Sequence, residues 1–154
     1  MRRARLHYAV LVSIGESLRS RVHDLVGGYL DGQPLVADLA AEPVAIRCGT
    51  AVVYVRLVDA EPAVVRVFSP LLRRVDRSPN LLVELNDINA RLNFLRLFWR
   101  DGTVYAASEM LADTLNATEL SNACDLLADA ADYYDERLHA RFGGQTAFAE
   151  RRAH

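Results

Sequence analysis

Lysine is absent from this 154-residue chain, and all 18 of its basic side chains are arginines. Every fixed cation is therefore a planar, weakly hydrated guanidinium, suited to stacking and to gripping carboxylates. Coding bias in a GC-rich genome gives the same pattern, together with the abundant alanine and valine, so the placement of the arginines decides between bias and use. Charge of either sign is scarcely in excess: the net charge of −2 gives no general attraction to nucleic acid or an anionic membrane. Cysteine is limited to Cys48 and Cys124, too few for a disulfide framework and without metal-site spacing. The two read as buried, inert thiols of a reducing compartment.

Long apolar runs are also missing. No segment approaches the roughly 20 apolar residues of a membrane span. Arg2, Arg3 and Arg5 ahead of Ala9 to Ile14 resemble a short signal peptide, but His7 and Tyr8 interrupt it and no small-x-small cleavage site follows cleanly. The cytoplasm is the expected location. Neither G-x-G-x-x-G, a P-loop, H-E-x-x-H nor G-x-S-x-G occurs. His7, His23, His139 and His154 are scattered, with no Cys or His partner at ligand spacing. No catalytic residue, metal site or cofactor is expected, and the chain reads as a non-enzyme.

What is present is patterning for one globular domain: 51% hydrophobic and 25% charged residues over a length that supports a core. Leu11, Leu18, Val22, Leu25 and Tyr29 recur at helical spacing, and Asp31-Gly32 with Pro34 ends that helix. The stripe is narrow, which suits contact with a partner as well as with the helix's own sheet. Over residues 43 to 69 the period changes to alternation. Val44, Ile46 and Cys48, then Val53, Val55 and Leu57 after Gly49-Thr50, then Val65 and Val67 after Ala60-Glu61-Pro62, describe a three-stranded meander closed by Pro70.

Ser78-Pro79 is an N-cap followed by proline at the first helical position, and Leu81, Leu85, Ile88 and Leu92 form the buried seam of the helix it opens. The clearest turn follows. Asp101-Gly102 between two alternating runs predicts a two-residue hairpin loop with positive φ at both positions. The register sets Arg100 opposite Thr103, Trp99 opposite Val104 and Leu97 opposite Ala106. Leu95, Leu97, Trp99, Val104 and Ala106 then share a core face, and Phe94, Arg96, Phe98, Arg100 and Tyr105 share the other. The last helix starts at Asn116 with Glu119 in capping-box position, buries Leu120, Ala123, Leu127, Ala131, Tyr134 and Leu138, and stops at Gly143-Gly144. Arg137 and Arg141 near its end suit the helix dipole. The expected fold is α+β: an antiparallel sheet with helices on one side and the order α-β-β-β-α-β-β-α. Residues 1–144 are expected to form a single domain and residues 145–154 a flexible tail.

Three surface features compete for a role. Asp125, Asp129, Asp132 and Glu136 share one face of the last helix, the arrangement of a solvated face, of an acidic docking face or of a cation site, although carboxylate metal sites usually draw ligands from more than one segment. Arg73, Arg74 and Arg77 are too small a cluster for nucleic-acid binding, which needs a broad basic stripe with aromatics. Tyr54, Arg56, Arg66, Phe68, Arg96, Phe98, Arg100 and Tyr105 all take the non-core positions of the strands. Arginine with aromatics is the composition of binding surfaces, and equally of a solvated sheet face whose Arg stems cover the rings.

Asn86-Asp87-Ile88-Asn89, Phe94 to Arg96, Trp99-Arg100-Asp101-Gly102-Thr103-Val104 and Arg141-Phe142-Gly143-Gly144, taken in order, resemble the YbjN-like branch of the type III secretion chaperone-like proteins. These are small peptide-binding chaperone domains related to the CesT chaperones. The motifs lie in the C-terminal half, while the element order matches throughout. The resemblance implies a non-enzymatic, commonly dimeric domain that holds a segment of a client protein against its sheet and helices. It implies that Asn86 and Asn89 fix the helix-to-strand junction. The first 40 residues match no motif. Two functions follow as expectations: a chaperone-like module that binds a client protein or peptide, with Tyr54, Arg56, Arg66, Arg96, Phe98, Arg100 and Tyr105 as its contact residues, or a regulatory or structural homodimerisation domain without a client. Neither nucleic acid nor membrane is an expected partner.

Overall fold

The computed structural model describes residues 2–29, 39–48 and 51–147, with side chains from Glu16 onward. The side chain of Leu11, the Asp31-Gly32-Pro34 stop and the Gly49-Thr50 turn lie outside the described residues. The elements run α1 (Arg2–Tyr29), β1 (Val44–Cys48), β2 (Ala51–Val58), β3 (Val64–Arg73), α2 (Pro79–Asn89), β4 (Arg96–Arg100), β5 (Thr103–Leu111), α3 (Ala117–Phe142) and β6 (Gln145–Thr146). The sheet is antiparallel, ordered β1-β2-β3-β5-β4, with β6 added to the end of β3. The hairpin therefore docks through its second strand, which leaves β4 at the edge. Gln145 and Thr146, expected in the tail, pair with Arg73 and Leu72.

Local chemistry explains the boundaries. The Ser78 hydroxyl accepts from the Leu81 N–H at 3.1 Å, and the Asn116 side chain accepts from the Glu119 N–H at 2.9 Å. Asp101 and Gly102 have φ of 49° and 80°, as a two-residue loop of this kind requires. The observed register pairs Arg100 with Thr103, Trp99 with Val104 and Leu97 with Ala106, as the sequence predicts. Phe94 departs from the pattern: it precedes β4 in a left-handed conformation and is 84% exposed, so it does not extend the strand face.

Pro70 does not end β3, which continues to Arg73. The pairing with β2 stops at Phe68, and β6 takes over only at Leu72. Pro70 falls in the gap, beside a register shift against β5, so its missing N–H costs no ladder bond on the open side. The Ser69 hydroxyl spans part of that gap by donating to the Val52 carbonyl at 2.9 Å.

All three helices contribute to one core on the inner side of the sheet. Val53, Val55, Leu57, Val65, Val67, Val104 and Ala106 from the strands meet Leu81, Leu85 and Ile88 of α2 and Leu120, Leu127, Ala131 and Leu138 of α3. Val22 and Val26 of α1 complete it, and α1 lies against α3. Arg21 anchors α1 by donating to the carbonyls of Ala112, Asp113 and Leu115. At the other end the Tyr29 hydroxyl sits 3.4 Å from Cys48 Sγ. Burial pushes the Cys124 thiol up to about 12, the neighbouring Cys48 adding to the effect. Both thiols are buried.

Candidate client-binding face

Among the described residues no helix covers the outer side of the sheet, so side chains at alternate strand positions stand side by side on it. Register decides which ones meet. Arg56, Arg66 and Glu109 form one row across β2, β3 and β5. Tyr54, Phe68, Ala107 and Arg96 form the next, across β2, β3, β5 and β4. Pro70, Tyr105 and Phe98 form a third. Strands separated in sequence by a whole helix thus contribute to one surface.

The rings form a ladder. Tyr54 stacks on Phe68 at 5.4 Å between centroids, Phe68 meets Tyr105 edge-on at 6.3 Å, and Tyr105 stacks on Phe98 at 5.5 Å. Such contacts hold the rings in place without burying them, because each also rests on the pleat of its strand. The Arg96 guanidinium lies 5.5 Å from the Phe98 centroid and donates to Glu109 at 3.1 Å. Arg66 donates to the same carboxylate oxygen at 2.6 Å. Arg100 is 3.5 Å from Asp101, both well exposed, and Arg56 has no acidic partner among the described residues.

These groups surround a depression of about 340 Å³ lined by Arg56, Arg66, Phe68, Phe98, Arg100, Asp101 and Tyr105. Of the expected contact residues, Arg56, Arg66, Phe98, Arg100 and Tyr105 line it. Tyr54 supports Phe68 from the side, and Arg96 braces Phe98 and Glu109. Glu109 and Asp101 are additions. The signal for Glu109 lay in the alternation Thr103, Tyr105, Ala107, Glu109, which continues the hairpin's outer face two residues beyond Ala107. The face can grip an aromatic segment through its exposed rings and the segment's backbone carbonyls through free guanidinium donors, while Glu109 and Asp101 keep it from being uniformly cationic.

The other surface features resolve differently. Asp125, Asp129, Asp132 and Glu136 lie along α3 away from its buried seam, and among the described residues no group of three acidic, Cys or His side chains is placed to hold a metal ion. Asp135, between two of them, is 5% exposed and was not singled out by pattern. Burial raises its pKa above the ordinary carboxylate value. The Glu136 N–H at 2.6 Å opposes that, and the charges of Glu136 and Asp132 reinforce it. Among the described residues no helix is long and apolar enough to cross a membrane.

Among the described residues one face of the sheet is open and three helices back the other, an arrangement suited to holding a partner. Comparison with known proteins agrees. Residues 16–150 match the model of the family described as T3SS (YopN, CesT) and YbjN peptide-binding chaperone 1. The chain belongs to that family. Its fold is similar to a chain of the ExsC–ExsE complex (TM-score 0.61, 17% identity, 77% of this chain and 93% of that one). It is similar also to a chain of the HopA1–SchA chaperone–effector complex (TM-score 0.57, 16% identity, 79% of this chain and 92% of that one). No curated protein matches the sequence significantly. The protein is a chaperone-like, client-binding module.

Proposed function

We propose that the outer face of the sheet is where the client is held, with Phe98, Tyr105 and Phe68 as anchors and Arg56, Arg66 and Arg100 as the polar grip. The observation that carries this is the unbroken ladder of four rings across four strands, flanked by arginines around one depression. Exposed aromatics beside guanidinium groups are the residues that dominate binding energy at protein interfaces. Tyr54 and Arg96 support the anchors and do not enter the depression. Holding a client requires no chemistry on it, and we read the chain as a non-enzymatic module. Its buried free thiols suit the cytoplasm.

The test is a pull-down with the purified chain as bait against an extract of its own cells, comparing wild type with Arg96→Ala plus Phe98→Ala. A client captured by wild type and lost by the variant is the expected result. Equal recovery by both would remove the face from the account.

A second reading uses the same face to seal a homodimer. Arg100 beside Asp101 at the hairpin tip favours it, because two copies related by a two-fold axis can exchange that ion pair. Light scattering separates the two. A monomer removes the dimer, and a dimer broken by Arg100→Glu assigns the face to self-association.

A further inference from the structure

A second cleft lies on the opposite side of the molecule, between α2 and α3. Both helices pack on the sheet, α2 over β4 and α3 over β3, and they leave a groove of about 390 Å³. Its lining is Glu84, Ile88 and Arg91 from α2 and the residues just after it, and Tyr133, Tyr134, Arg137, Leu138 and Arg141 from α3. Ile88 and Leu138 are buried and form an apolar floor.

The rim is cationic beyond what the fold uses. Arg141 pairs with Glu84 across the groove, which consumes the one carboxylate of the lining. Arg91 has no acidic partner among the described residues. The Arg137 guanidinium is seated 3.7 Å from the centroid of the Tyr133 ring, and its Nη1 donates to the Tyr133 carbonyl at 2.6 Å. That seating orders the cation in advance while its other N–H donors stay free. Tyr133 is itself 52% exposed and meets Tyr134 edge-on at 4.8 Å. Asp125, Asp129, Asp132 and Glu136 on α3 do not line the groove.

We infer that this groove binds an acidic segment of a polypeptide, its carboxylates on Arg91 and Arg137 and an adjacent apolar side chain on the Ile88–Leu138 floor. Charge complementarity selects that occupant. Three arginines face one already paired glutamate, so an incoming carboxylate gains two guanidinium partners and an incoming cation gains none. The inference rests on the reading that the chain holds a polypeptide, but it uses residues wholly separate from the sheet face.

The experiment is fluorescence-anisotropy titration of the full chain with a fluorescein-labelled synthetic peptide repeating Glu-Glu-Leu-Phe, against a matched peptide with glutamine for glutamate. Four proteins are compared: wild type, Arg91→Glu with Arg137→Glu, Arg137→Gln, and the sheet-face variant Arg96→Ala with Phe98→Ala. Circular dichroism confirms that each is folded. The acidic peptide should bind wild type and the sheet-face variant alike. It should weaken about tenfold or more with the double groove variant and by a smaller factor with Arg137→Gln. The glutamine peptide should bind poorly to all four. Equal binding of both peptides, or binding lost only with the sheet-face variant, overturns the groove site. A wild-type dimer made monomeric by the groove substitutions, with no acidic-peptide binding, assigns the groove to a second copy of the chain and also overturns it. Loss of sheet-face binding alone leaves the groove result intact, so the two sites fail separately.

Discussion

Asn89 and Leu97 are joined by a reciprocal pair of hydrogen bonds: Leu97 N–H donates to Asn89 Oδ1 at 2.7 Å, and Asn89 Nδ2 donates to the Leu97 carbonyl at 2.9 Å. Leu97 lies on β4, the edge strand, so both of its backbone groups point away from the sheet. The side chain of the last residue of α2 thus stands in for one residue of a missing strand. An open edge is a template for unwanted pairing, and here it is blocked near its midpoint. Trp99 reinforces the junction by donating from Nε1 to the Val75 carbonyl at 2.9 Å. The role expected for Asn89 at the helix-to-strand junction is observed.

Replacing Asn89 by alanine should therefore cost about 1–3 kcal/mol, because Leu97 is 2% exposed and water replaces the lost partners poorly. Asn89→Asp should fall between, since a carboxylate accepts from the N–H but cannot donate to the carbonyl. Urea unfolding followed through Trp99 fluorescence measures both. Wild-type stability in Asn89→Ala would show that the pair is dispensable.

Two glycines with the same φ should behave differently. Gly102 has φ of 80°, and a Cβ added there would meet only open space, so alanine should cost only the left-handed penalty of about 1–2 kcal/mol. At Gly144 a Cβ would come within 2.7 Å of the Arg73 carbonyl oxygen and 3.2 Å of Val75 Cβ. Gly144→Ala should cost more than Gly102→Ala and should expose the β6 amides to hydrogen exchange. Equal losses would mean that β6 docking carries little stability.

The buried Asp135 makes stability depend on pH. Its folded-state pKa is raised above the unfolded value, chiefly by burial. The folded state then holds the proton more tightly, so stability is greatest below the unfolded pKa and declines as pH rises towards the folded one. Asp135→Asn removes that decline. It should be more stable than wild type near neutral pH, with the difference shrinking as pH falls to about 4. Parallel thermal melts across pH test this, and a difference that grows on acidification would contradict it.

Cys124, pushed up to about 12 and buried beside Cys48, should be unreactive while the chain is folded. A thiol-disulfide colour reagent should register neither cysteine in buffer and both in denaturant. Rapid labelling of the folded protein would contradict the burial.

The hairpin was legible because Asp101-Gly102 admits one register, and that register alone divides Leu97 and Trp99 from Phe98 and Arg100. The helix starts were legible from Ser78-Pro79 and Asn116 because capping is local. Strand order was not, since nothing local to β5 says that it pairs with β3. The outer face became one surface only when that pairing set Phe68 beside Ala107 and Pro70 beside Tyr105. Pro70 misled because its tolerance depends on where β2 ends and β6 begins. A two-residue strand such as β6 has no period to detect, and Asp135 is hidden in a helix rich in acidic residues. The α2–α3 groove depends on how two helices settle on a sheet, which spacing within either helix does not encode.

The central claim, that the outer sheet face holds the client, is tested most directly by calorimetric titration with a peptide selected against the purified chain from a random display library. The account predicts that Phe98→Ala with Tyr105→Ala, folded as judged by circular dichroism, weakens that peptide by about 2 kcal/mol or more, near thirtyfold. Undiminished affinity of this double variant, with binding abolished instead by substitutions on α1 or in the α2–α3 groove, would contradict it.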